Sequence, residues 1–97
     1  MSDAQHIFAR IAPKPEFFDV TRDAILEIIP QTLAEPGCQA FVLHAGADDG
    51  CLYLYEVFDD EDALKAHGAQ PYTRAVFARY EEWLKEPPRL TRMHRVS

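Results

Sequence analysis

CLYLYEVFDDEDALKAH, residues 51–67, reads as a strand that runs directly into a helix. Cys51, Tyr53, Tyr55 and Val57 point to one side, and Leu52, Leu54, Glu56 and Phe58 to the other. A strand in an antiparallel sheet with one wet face alternates apolar with polar residues. This one is apolar on both faces and carries a single carboxylate, Glu56, so both faces are expected to be covered. The acidic run Asp59, Asp60, Glu61, Asp62 follows. Asp59 or Asp60 suits the N-cap of a helix, with Asp62 in its first turn. That helix is expected to end at His67 and Gly68, the glycine supplying a left-handed stop.

Upstream, residues 38–45 read as the preceding strand, and AGADDG at 45–50 as a hairpin loop. Placing Ala45 opposite Cys51 sets Phe41 opposite Tyr55 and Leu43 opposite Tyr53, although a slip by one residue would exchange every partner. EPGC at 35–38 is a turn in which Pro36 fixes one dihedral and Gly37 permits a positive φ. Residues 15–34 form an amphipathic helix with Phe18, Ile25, Ile28, Ile29 and Leu33 on its apolar face. Pro30 is expected to bend that helix or end it near Ile29, leaving a loose last turn. HIFARI at 6–11 supplies a first strand. Downstream, Pro71 opens a helix whose apolar face is Val76, Phe77, Tyr80 and Leu84 with Trp83 beside them. KEPPR at 85–89 breaks it, and residues 90–96 give a last strand. The order strand, helix, strand, strand, helix in two pieces, strand predicts one α+β domain over residues 1–97. It is a ferredoxin-like βαββαβ fold with a four-stranded antiparallel sheet and helices on one face. The helices cover only one face, so Tyr53, Tyr55 and Val57, with Phe41 and Leu43 beside them, call for a second copy packed sheet on sheet.

Composition bounds the function. A net charge of −6 and a pI near 5.0 repel phosphate backbones, which argues against nucleic acid. No apolar run reaches the roughly 20 residues needed to cross a bilayer, and the N-terminus does not read as a signal peptide. The expected compartment is the cytoplasm. Cys38 and Cys51 would lie near opposite ends of the hairpin as reduced thiols. His6, His44, His67 and His94 are scattered, with no metal-ligand spacing among them, and neither a nucleotide-binding loop nor a serine-hydrolase motif occurs. No metal or cofactor is therefore expected.

Two residues carry candidate chemistry. Glu56 is costly to bury unless paired, so it is either a base with a raised pKa or a carboxylate satisfied by helix N–H groups or by Arg74 or Arg92. His67 either caps its helix end or acts as a general acid or base beside a pocket between helices and sheet. Tyr72, five residues on, can line the same pocket, whereas Phe58, Phe77 and Trp83 read as core.

EPGC at 35–38, LYEVF at 54–58 and ALKAH at 63–67, followed by AQPY, resemble the antibiotic biosynthesis monooxygenase family over residues 8–84. The resemblance implies a dimeric α+β barrel and several chemistries on one fold. These are cofactor-free oxidation of phenols to quinones, handling of small quinones, isomerisation of a sugar phosphate, and haem degradation. It places Glu56, Phe58 and His67 at recurrent family positions. Quinone-forming members carry Asn, Trp and Tyr where this chain has Leu54, Phe58 and Leu64, and residues 70–86 lack the histidine of the haem-degrading members. The resemblance implies a cofactor-independent monooxygenase for a small phenol or quinol. His67 and Glu56 would be catalytic, and Leu54, Phe58, Leu64 and Tyr72 would hold the ring. The alternative is a binding protein or isomerase for a small carbonyl or phosphorylated metabolite, with Lys65 and Arg74 as candidate phosphate ligands. Haem binding ranks below both.

Overall fold

The computed structural model describes residues 4–97. Strand β1 is Gln5–Ile11, a single 3₁₀ turn is Pro15–Phe17, and helix α1 is Phe18–Leu33. Strands β2, Cys38–Ala45, and β3, Leu52–Phe58, form the hairpin. Helices α2, Glu61–Ala69, and α3, Pro71–Trp83, lead to strand β4, Arg89–Met93. All pairings are antiparallel and the sheet order is β2-β3-β1-β4. This is the predicted ferredoxin-like α+β fold. The core lies between one sheet face, with Ile7, Ala9, Ile11, Phe41, Leu54 and Phe58, and the helix residues Ile25, Ile28, Val76, Tyr80 and Trp83.

The hairpin register differs from expectation by one residue. Ala45 faces Leu52, Leu43 faces Leu54 and Phe41 faces Glu56. The cause lies in the loop, where the Gly46 N–H bonds the Cys51 carbonyl at 2.8 Å and Asp49 Oδ1 accepts from the Cys51 N–H at 2.9 Å. Cys51 thus belongs to the turn, and Gly50, with φ +68°, is the only described residue in the left-handed region. The slip moves Phe41 and Leu43 to the helix-covered face. Val42 and His44 instead stand beside Tyr55 and Tyr53 on the other face.

Helix α1 does not stop at Ile29. Leu26 and Pro30 are both on its exposed side, where solvent can satisfy the Leu26 carbonyl that Pro30 cannot reach. Its buried stripe is Thr21, Ile25, Ile28 and Thr32, and Leu33, expected inside, is half exposed. The two threonines are tolerated because their hydroxyls bond the Phe17 carbonyl at 2.7 Å and the Ile28 carbonyl at 2.8 Å. Phe77 likewise lies outside on α3, where Thr73 takes the buried place. β4 ends at Met93, opposite His6, rather than at residue 96.

Asp60 caps α2 as expected, accepting from the Ala63 N–H at 2.8 Å. Two glycines act differently from the sequence reading. Gly68 is inside α2, which continues to Ala69, and has no positive φ. Gly37 also lacks one. It is needed because a Cβ there would stand 2.3 Å from the Ala63 Cβ, so the turn after α1 touches α2 backbone-close. Gly37→Ala should therefore cost about 1–3 kcal/mol through overpacking. Urea denaturation should show an unchanged m-value, with part of the loss recovered by adding Ala63→Gly.

Candidate functional site

Glu56 is held on β3 between Ile7 of β1 and Phe41 of β2, on the face that the helices cover. It is 8% exposed, and its side chain forms no hydrogen bond or ion pair. Neither Arg74 nor Arg92 pairs with it. Arg92 is engaged by Glu61 at 3.1 Å and Gln5 at 3.0 Å. Burial, and then the negative charge of Glu35, push the Glu56 carboxyl up to about 7. In front of it is a cavity of about 270 Å³ between sheet and helices. Leu54, Leu64 and His67 line it with Glu56, and the rest of its wall is mostly apolar.

His67 occupies the last turn of α2 and is 6% exposed. Its position fits the favourable place for a basic residue at a helix end, while its side chain turns inward. Its ring packs against Phe58 at 5.0 Å and edge-on against Phe41 at 5.3 Å, and Nδ1 lies 3.0 Å from Glu35 Oε2. Nδ1–H donates to Glu35 Oε2 in that contact, and Nε2 has no hydrogen-bond partner within the protein. The Tyr72 hydroxyl also donates to Glu35, and lies 3.3 Å from the Gln31 carbonyl. Burial and Glu35 together push that phenol up to about 12.

Of the residues proposed to hold a ring, Leu54 and Leu64 line the cavity, whereas Phe58 and Tyr72 do not. Phe58 is fully buried behind the His67 ring, and Tyr72 is drawn away towards Glu35 and the end of α1. Lys65 and Arg74 are exposed and also lie off the cavity wall, so they make no phosphate site there. Three relevant residues escaped the sequence reading. Glu35 was read as part of a turn, Tyr80 as part of an apolar helix face, and Arg92 only as a possible partner of Glu56. Arg92 and Tyr80 line the cavity, and Tyr80 is 8% exposed. Only the position of Glu35 in the EPGC motif hinted at more than a turn. Cys38 and Cys51 are free thiols, and burial, with Glu35 next, pushes Cys38 up, which makes it a poor nucleophile. Among the described residues no three His, Cys, Asp or Glu side chains converge as metal ligands, and no helix is long and apolar enough to cross a membrane.

The ferredoxin-like sheet thus carries, under its helices, a mostly apolar cavity whose wall includes an unpaired carboxyl and an imidazole. Residues 4–79 match the profile of the antibiotic biosynthesis monooxygenase family. The chain belongs to that family. It is 31% identical over 91 residues to Rv0793 of Mycobacterium tuberculosis, which is provisionally named a monooxygenase. That alignment covers 94% of this chain and 90% of the relative. The solved structure of Rv0793 superposes with a TM-score of 0.92 at 29% identity, covering 97% of this chain and 96% of that one. PA3566 from Pseudomonas aeruginosa has the same fold, with a TM-score of 0.92 at 21% identity, covering 100% and 98% of the two chains. So does a conserved protein from Methanosarcina mazei Go1, with a TM-score of 0.87 at 22% identity, covering 94% and 91%.

The raised Glu56 pKa has a defined consequence for stability. Below the ordinary value of 4.5 the group is protonated in both states and contributes nothing. Between 4.5 and about 7 the unfolded chain releases its proton and the folded one keeps it, so stability falls as pH rises. Above that window the penalty is constant at roughly 3 kcal/mol. Glu56→Gln should therefore gain on the wild type by about that amount between pH 4.5 and pH 8 in urea denaturation. A difference that does not change with pH would contradict an unpaired, buried Glu56.

Proposed function

We propose that the chain is a cofactor-independent monooxygenase that oxidises a small phenol or quinol with dioxygen, and that Glu56 is its base. The observation carrying this reading is a carboxyl with no protein partner, its pKa near 7, facing an otherwise mostly apolar cavity. A base works best when its pKa lies near the operating pH. The Glu56 carboxylate takes the phenolic proton. The phenolate then gives one electron to dioxygen, leaving a phenoxyl radical and superoxide. These combine at a ring carbon, where a C–O bond forms. The O–O bond then breaks as the ring proton on that carbon leaves. One oxygen stays in the quinone and the other departs as water. His67 Nε2 can receive or return protons beside Glu56. Leu54 and Leu64 supply ring contacts. An apolar cavity of about 150 Å³ holds benzene, so the space of about 270 Å³ suits one or two fused rings rather than a longer polycycle.

The same pair of proton-exchanging groups supports a second reading, isomerisation or binding of a small carbonyl compound. Oxygen uptake separates the two. With a panel of one- and two-ring phenols and quinols, uptake should rise with pH through about 7 as Glu56 ionises. Glu56→Gln should lower it by about 10²–10⁴-fold. His67→Ala should lower it as well. Uptake no greater than that of Glu56→Gln with every phenol would sink the oxidative reading.

We also infer that the chain acts as a homodimer through the sheet face opposite the helices, in the cytoplasm where Cys38 and Cys51 stay reduced. Phe8 is 38% exposed there and stacks on Tyr53 at 5.5 Å, and Val42 beside Tyr55 is 45% exposed. Together they make a contiguous apolar surface of the kind that a second copy covers. Light scattering should give twice the 11.1 kDa chain mass at micromolar concentration, and Phe8→Glu should halve it.

A further inference from the structure

The cavity wall carries a second polar group that the proton transfer above leaves unused. Tyr80 of α3 lines the cavity with Glu56 and is buried, yet its hydroxyl makes no hydrogen bond within the protein. Buried tyrosine hydroxyls ordinarily find a partner. Two side-chain oxygens among the described residues are sealed in without one, Glu35 Oε1 and Thr73 Oγ1. The Tyr80 hydroxyl and the Glu56 carboxyl are unpartnered but not sealed, and although Tyr80 also borders an outer hollow with Glu81 and Leu84, the space it shares with Glu56 is the cavity. After burial, the Glu56 charge is what pushes the Tyr80 phenol up. No hydrogen bond joins them, so each is free to meet a ligand atom in the cavity they line.

We propose that Tyr80 is a substrate-binding residue whose O–H holds the phenolic oxygen of the ligand while Glu56 takes its proton, so that the pair selects rings bearing an acidic hydroxyl. This rests on the reading of the cavity as a phenol site. Before transfer the ligand O–H donates to the Glu56 carboxylate and its oxygen accepts from Tyr80. After transfer the phenolate oxygen accepts from Tyr80 and from the new Glu56 O–H. Tyr80 keeps its own proton throughout, because burial and the Glu56 charge both hold its phenol above the ordinary value. A neutral donor is what a developing oxyanion requires in a site of low polarity. The other charged or titratable groups around the cavity are His67 on α2, Arg92 on β4, and Glu35 behind His67.

The probe is 4-nitrophenol, whose phenol and phenolate forms absorb at different wavelengths and whose electron-poor ring resists oxidation. Its binding and ionisation are read under argon, so no turnover is needed. The wild type should bind it, and Tyr80→Phe should make ionisation of the bound phenol at least tenfold less favourable, about one pH unit higher. Nitrobenzene, which lacks the hydroxyl, should bind the wild type at least tenfold more weakly than 4-nitrophenol. Equal ionisation on wild type and folded Tyr80→Phe would overturn the role of Tyr80 and leave the phenol site standing. Absence of 4-nitrophenol binding to the wild type would overturn both. Should a melting curve show that Tyr80→Phe does not fold, the nitrobenzene comparison decides, and equal affinities would count against the proposal.

Discussion

A carboxyl on an inner strand has nowhere to go. The pleat of β3 sends Glu56 to the face that α1, α2 and α3 cover, and its neighbours across the sheet, Ile7 and Phe41, are apolar. An unpaired ion in such a place responds to the cost of desolvation by binding a proton, which is why Glu56 is held near neutrality rather than in the ordinary carboxylate range. A structural carboxylate would have been given an arginine or a set of N–H groups. Arg92, across Ile7 on the same sheet face, is turned to Glu61 and Gln5 instead. The cost is carried without relief, and it is carried on the wall of a cavity.

All three helices reach the wall of that cavity, α1 through Ile25 and Ile28, α2 through Leu64 and His67, and α3 through Val76 and Tyr80. α2 is short and ends at Ala69, and Gln70 and Pro71 turn the chain into α3. Its close seating on the turn at Gly37 fixes where His67 stands, since Gly37 meets Ala63 one helical turn before it. A residue with no side chain thus places the imidazole. Phe58 and Phe41 then hold the ring from two sides.

The sequence revealed what is local and missed what is long-range. Asp60 as a cap, Pro71 as a helix start and the strand character of residues 38–45 and 52–58 follow from short-range chemistry, and the element order followed from them. The same stretch carried the family resemblance and pointed to Glu56 and His67. The register failed by one residue because a single loop hydrogen bond, from Gly46 to Cys51, decides it, and six loop residues permit two answers. The buried threonines of α1 were invisible because their hydroxyls are satisfied by their own helix, so polarity misled where geometry did not. Gly37 looked like a φ requirement and is a packing requirement. Glu35 could not be assigned at all, since its partners lie 32 and 37 residues away.

Glu35 also shows that the chemistry of the cavity is governed from outside it. It does not line the space, yet it accepts from His67 and Tyr72 and its charge helps raise Glu56. One carboxylate therefore acts on two cavity groups in complementary ways. Through a hydrogen bond it holds the imidazole by Nδ1, and through space it makes Glu56 a stronger proton acceptor. If the His67–Glu35 contact were instead a free-standing ion pair, burial of both partners would disfavour it strongly. The Tyr72 hydroxyl bears on this directly, because a second donor on the same oxygen lowers the cost of keeping Glu35 charged. Glu56 has no such donors, and burial and the Glu35 charge are left to raise its affinity for a proton.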